Sequence, residues 1–202
     1  MKRALTLDIK KEDVVISKGE LARRLSSRVT EIDYALSLLP KLLTEITPRV
    51  AYRRVSIERK EGFIDLGFSK TDSRDIQKCL SNYNEALLIS VTLGPRVDKL
   101  ILRESMLSPA SAFTIDALAS AYAEGLIQLA EDILTASTLH SNRFSIGYGD
   151  LPLSLQGDFL EFLSAESTLG ITLSDAFIMS PMKSITAIVG VLSEKGEKNE
   201  RN

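Results

Sequence analysis

The stretch from Pro109 to about Ala136 constrains the fold more than any other. Proline opens a helix readily, because the first helical N–H has no intrahelical partner to lose. No further proline follows until Pro152. Ile115, Leu118, Tyr122, Leu126, Leu129 and Ile133 step by three or four, which predicts one long helix whose apolar face packs on a sheet. A strand for that sheet stands just before it. Residues 86–93 (ALLISVTL) form a largely apolar run closed by Gly94-Pro95, the pattern of a buried strand. A helix from about Val97 to Met106 joins the two.

Residues 4–9 alternate like an edge strand, and Val14–Ile16 have the composition of another. Glu20–Leu25 predicts a short helix. Glu31–Ile46 predicts a longer one, capped by Thr30 and broken or kinked at Pro40. Residues 49–57 are strand-like, Glu61-Gly62 marks a turn, and Phe63, Ile64 and Leu66 form a hairpin return. Asp72 or Ser73 caps a helix reaching Leu80. Residues 143–152 form a structured loop, and Leu155–Leu163 a helix with Ser154 as its cap. Residues 169–179 and 184–192 return as strands. Strands and helices mix without strict alternation, so the expected class is α+β. One domain is expected over 1–192, with a helical N-terminal part at about 17–47 and a frayed polar tail at 193–202.

Composition removes several functions. Lys plus Arg number 25 against 27 Asp plus Glu, a formal charge of −2, which argues against nucleic acid as a partner. The chain has a single histidine, His140, and a single cysteine, Cys79. Metal sites and triads built on several His or Cys ligands cannot be assembled from them, nor can an internal disulfide. His140 is expected at the surface or a helix end, and Cys79 as a packing residue. No apolar run is long enough to span a bilayer, and Asp8, Lys10 and Lys11 interrupt any signal-peptide core. A cytoplasmic protein is expected. No P-loop and no dinucleotide fingerprint occurs.

Three strings carry candidate chemistry. In Arg143-Phe-Ser-Ile-Gly147-Tyr148-Gly149-Asp150-Leu-Pro152, Arg143 offers a planar fork for a carboxylate or phosphate. Gly147 allows close backbone approach, and Tyr148 brings a flat face and a hydroxyl. The string suits a small anionic or zwitterionic ligand with an aromatic part; on pattern alone the plainer reading, a glycine-rich turn with a surface arginine, is favoured. Asp116, Ser120, Glu124, Gln128 and Asp132 recur every four residues along the long helix, as a solvated face would, with Glu124 set apart as a candidate ligand group. Around Ser180-Pro181, Ser184 and Thr186 alternate with apolar residues in a strand–turn–strand unit.

Taken together, these strings resemble the activation domain of cobalamin-dependent methionine synthase. Arg143 through Gly147-Tyr148 to Pro152 is similar to that family's Arg-x-x-x-Gly-Tyr-x-x-x-Pro. Gly170 through Met179-Ser-Pro181 is similar to its Gly-x-x-Leu-Thr-Glu-Ser-x-x-Met-x-Pro, and Ser184-Ile-Thr186 to its Ser-Val-Ser/Thr. Ala117-Leu-Ala119 and Ala123-Glu124 match as well. The similarity spans about residues 85–192. It implies a C-shaped α+β fold around a twisted antiparallel sheet flanked by helices. It also implies S-adenosylmethionine binding and docking on a cobalamin-binding methionine synthase chain, with cobalamin carried by that partner and a flavodoxin-like protein donating an electron. Arg143 matches the arginine that grips S-adenosylmethionine, Glu124 a nearby helix glutamate, and Gly147 and Tyr148 the loop lining the site. Methyl transfer from a sulfonium to reduced cobalt needs positioning rather than a general base, within reach of a chain with one His.

The chain departs from the family in places. A second acidic site residue has no match between Thr135 and Asn142, and Gly149-Asp150-Leu151 stands where the family has Pro-Ala-Cys. The family's downstream tyrosines are missing, and Asp33 and Asp65 are weak candidates for its N-terminal aspartate. The expected function is therefore a stand-alone reactivation subunit that binds S-adenosylmethionine. The alternative is a corrinoid-protein docking module that no longer binds it.

Overall fold

The computed structural model describes residues 4–25 and 29–192; the expected tail at 193–202 lies outside them. Strand β1 is Leu5–Leu7. The Val14–Ile16 segment is not a strand. It follows a short 3-10 turn at Lys11–Asp13 and pairs with no strand among the described residues. Helix α1 is Lys18–Arg24, with the Ser17 side chain accepting from the Glu20 amide. The Glu31–Ile46 pattern divides at Leu38 into α2 (Val29–Ser37) and α3 (Leu39–Glu45). Pro40 lies in the first turn of α3, where it costs no intrahelical bond. Thr30 lies inside α2 rather than ahead of it.

Strand β2 (Arg49–Ser56) is followed by β3 (Glu58–Lys60), β4 (Phe63–Asp65) and β5 (Lys70–Thr71), which form a small separate sheet. Ser73 caps α4 (Arg74–Cys79), its hydroxyl accepting from the Ile76 amide. Strand β6 is Glu85–Thr92, and α5 runs Pro95–Leu107. The long helix α6 spans Pro109–Thr135. Helix α7 is Gln156–Phe162, preceded by a 3-10 turn at Leu153–Leu155 that contains Ser154, so Ser154 is not its cap. Helix α8 (Ala165–Leu169), the short hairpin strands β7 (Thr172–Leu173) and β8 (Met179–Ser180), and β9 (Ser184–Val191) complete the order.

The fold is mixed α+β. The main sheet has the order β1-β2-β6-β9, antiparallel throughout. Strand β6 lies centrally and is buried on both faces, as its apolar run requires. Successive side chains of a strand point to opposite faces. Leu87, Ile89 and Val91 therefore join one core with Leu118, Tyr122 and Ile127 of α6, while Ala86 and Leu88 join a second core with Phe159 and Leu163. The expected apolar face of α6 is buried against the sheet at Ile115, Leu118, Tyr122 and Leu126. Tyr122 turns toward the N-terminal segment, its hydroxyl donating to the Lys11 carbonyl at 2.7 Å. Gly125 lies against the Val15 carbonyl: a Cβ there would come within 2.4 Å of that oxygen. Ile133 is exposed.

Candidate functional site

Past α6 the chain runs along the outer edge of β9. The Phe144 amide donates to the Ile188 carbonyl and the Phe144 carbonyl accepts from the Ile188 amide, both at 2.8 Å. The Ser141 amide donates to Gly190 at 2.9 Å, and the Leu192 amide to Leu139 at 3.1 Å. This pairing fixes His140 and Arg143 at the border between β9 and α6. The chain then folds into a tight loop, in which Leu151 donates to the Tyr148 carbonyl at 3.0 Å and Gly147 to the Leu151 carbonyl at 3.1 Å. Gly147 has φ +87°, a conformation that side chains other than hydrogen resist.

The loop is fastened to α4 by Asp150. Its carboxylate accepts from the Ser73 hydroxyl, the Arg74 amide at 2.8 Å and the Asp75 amide at 3.2 Å, and its own amide donates to Asp75 Oδ2 at 3.2 Å. The Ser73 hydroxyl and then the Arg74 amide hold the Asp150 carboxyl below the usual range. Gly149 passes so close that a Cβ would lie 2.1 Å from Asp75 Oδ2. The Gly149-Asp150 pair thus serves to anchor the loop to α4.

Between this loop, α6 and β9 lies a cleft of about 420 Å³, lined by Glu124, Arg143, Phe144, Ser145, Tyr148, Ile185 and Ala187. That size suits a small organic ligand. Arg143 lies between two carboxylates of α6: its Nε is 3.2 Å from Glu131 Oε2 and its Nη2 3.5 Å from Glu124 Oε2. The Glu131 contact is an ion pair without hydrogen-bond alignment, so Glu131 Oε2 and Arg143 Nη1 are both buried and lack a hydrogen-bond partner. Glu131 Oε1 is 3.6 Å from His140 Nδ1. Burial raises the Glu131 pKa, against the opposing pull of Arg143 and His140. Glu124 also faces Arg24 of α1 at 3.8 Å.

Arg143, Tyr148 and Glu124 therefore meet in one cleft; Gly147 shapes the turn beside it without lining it. Asp33 and Asp65 are not among its lining residues; Asp65 accepts from the Gly67 amide within its own hairpin. Ser184 bonds the Pro181 carbonyl and Thr92, and Thr186 bonds Gln156. Both fasten the opposite face of β9. Cys79 packs against the second core. Asp116 and Ser120 are not simply solvated: both accept from Lys183 Nζ, at 2.7 and 2.9 Å, in a crossbar that lies on the N-terminal side of Glu124 along α6. Lys183 and Glu131 were not anticipated from the sequence. The available signal for Glu131 was its spacing, seven residues beyond Glu124 and so on the same helical face. Among the described residues no group of three or more His, Cys, Asp or Glu is placed to hold a metal ion, and no helix is long and apolar enough to cross a membrane.

No family model and no curated protein matches the chain. Among solved structures, the fold is similar to the MetH reactivation domain bound to AdoHcy, with a TM-score of 0.67 and 17% sequence identity. The match covers 93% of this chain and 78% of that one, reaching beyond the 85–192 stretch that holds the motifs. At this identity the likeness establishes the fold.

Proposed function

We propose that the cleft between α6 and β9 binds S-adenosylmethionine and that the chain serves as a reactivation subunit for a cobalamin-binding methionine synthase partner. The observation that carries this is the convergence of Arg143, Glu124 and Tyr148 on one cleft, in a fold similar to the MetH reactivation domain. The residues fit such a ligand. The guanidinium of Arg143, a quarter exposed and lining the cleft, suits an amino-acid carboxylate. Glu124, partly exposed at the mouth, suits an ammonium or sulfonium charge. The exposed Tyr148 offers a ring face to a nucleobase. The sulfonium brings an already activated methyl group, so the chain's task is to bind and orient it. Cobalamin stays with the partner, and a flavodoxin-like protein is the proposed electron donor.

Calorimetric titration of S-adenosylmethionine into wild type and Arg143→Met tests the site. The expected result is saturable binding that the variant loses by tenfold or more, about 1.4 kcal/mol. Equal affinities would remove Arg143 from the site.

One observation favours a second reading. Arg143 is already flanked by two carboxylates, so its charge is largely compensated within the chain. A docking module that had given up the ligand would keep this pairing as a structural anchor. Capture of the cobalamin-loaded partner that ignores S-adenosylmethionine, together with no ligand heat from the free chain, would select that reading.

A further inference from the structure

We infer that Glu131 is the positioning residue of this cleft, holding the Nε side of Arg143 and taking up a proton when a ligand carboxylate lands on the cleft-facing side of the same guanidinium. The inference rests on the reading that Arg143 receives an anionic ligand group, and it concerns how that reception is controlled.

The geometry is specific. The Glu131 side chain is 5% exposed, against 38% for that of Glu124, so of the two carboxylates facing Arg143 it is the one that water cannot relieve. One of its oxygens faces Arg143 Nε and the other His140 Nδ1. From its own helix Asp132 adds a like charge at the next position. From β2, Arg54 reaches the end of α6 through the Leu134 carbonyl and is itself paired with Glu85 of β6 at 3.8 Å. Of the groups around Glu131, Arg143 is the cation in closest contact.

A third carboxylate on that guanidinium shares the nearest cation that favours the charged form of Glu131. Bringing a like charge close favours the neutral acid. The balance is simple: an O–H or N–H bond of the buffer acid breaks, leaving its conjugate base, and an O–H bond forms on Glu131. His140, partly exposed, has its Nδ1 3.6 Å from Glu131 Oε1. Once neutral, Glu131 no longer competes with the ligand, while a protonated carboxyl still occupies the space that fixes the arginine stem. Ligand affinity therefore rises as the medium becomes more acidic, until Glu131 is already protonated in the free protein.

The test is calorimetry of S-adenosylmethionine binding to the full chain, in phosphate and in Tris at the same pH near neutrality. The difference in heat between buffers of different ionisation enthalpy reports protons taken up. Wild type is expected to take up a substantial fraction of a proton. Glu131→Gln is expected to bind with that uptake abolished and with affinity flat against pH, whereas His140→Gln retains the uptake. Methylthioadenosine, which lacks the amino-acid end, is expected to bind wild type without uptake. Binding by wild type with equal heats in both buffers would overturn the inference alone, as would undiminished uptake by Glu131→Gln. The wild-type comparison stands even if that variant fails to fold. An absence of any ligand heat from wild type would instead overturn the binding reading, and this inference with it.

Discussion

Arg143→Met keeps the aliphatic stem of the residue and deletes its charge, so it isolates what the guanidinium does for Glu131. Breaking a buried ion pair costs about 3–5 kcal/mol when the surviving partner stays charged. Glu131 has a cheaper exit, because it can protonate. Neutralising an ordinary glutamate at pH 7 costs at most about 3.7 kcal/mol, from an unperturbed pKa near 4.3. Burial has already moved Glu131 above that value. The Arg143 side chain is 25% exposed, so solvent screens part of the attraction. The expected loss is about 2 kcal/mol near pH 7. The sign of its pH dependence follows from linkage. A carboxyl whose folded pKa is raised leaves the folded state holding more protons, so stability falls as pH rises from the ordinary carboxylate value through the raised one. The variant raises the upper limit of that window. Its deficit therefore shrinks on acidification toward about pH 5. Urea denaturation of wild type, Arg143→Met, Glu131→Gln and the double variant at both pH values measures this, with the urea slope checked for constancy. The double variant is expected to recover most of the loss. A deficit independent of pH, or a double variant no more stable than Arg143→Met, would show that Glu131 is not the group left stranded.

Two further outcomes are expected. Gly125→Ala places a methyl 2.4 Å from the Val15 carbonyl oxygen and should cost about 1–3 kcal/mol in thermal melts. Gly19→Ala, in α1 with only the Ser17 hydroxyl nearby at 3.7 Å, should instead gain about 0.5–1 kcal/mol; equal shifts for the two would refute the close packing. Asp150 has a depressed folded pKa, so its contribution is present above its unfolded pKa and is lost as pH falls through the folded value. Asp150→Asn should remove that part of the acid limb of a stability–pH curve, and an unchanged limb would refute its role in fastening the loop.

What the sequence made legible was mostly punctuation. Pro40, Pro95 and Pro109 each lie in the first turn of a helix, and the Ser73 cap is real, because these residues act on their immediate neighbours. The order β1-β2-β6-β9 was not legible, since it depends on pairing between distant segments. Strand β3, Glu58–Lys60, is exposed throughout and carries no apolar alternation to reveal it. Val14–Ile16 has the composition of a strand, yet its environment is α6, with the Val15 carbonyl against Gly125. Of the cleft, Arg143, Tyr148 and Glu124 were read from a motif, and Glu131 was missed for a geometrical reason. A spacing of four advances about 40° around a helix with each step. A stripe followed from Asp116 to Asp132 therefore winds away from its starting line, while Glu131 returns to the line of Glu124.

The pairing of residues 139–144 with β9 has a consequence for handling the protein. An uncovered outer strand recruits a neighbouring molecule through its spare backbone groups. Here the molecule shields itself with the very segment that holds His140 and Arg143. Damage that peels this segment away unveils an adhesive rim at the moment it dismantles the cleft, so preparations that have lost the cleft should be recognisable by their tendency to clump.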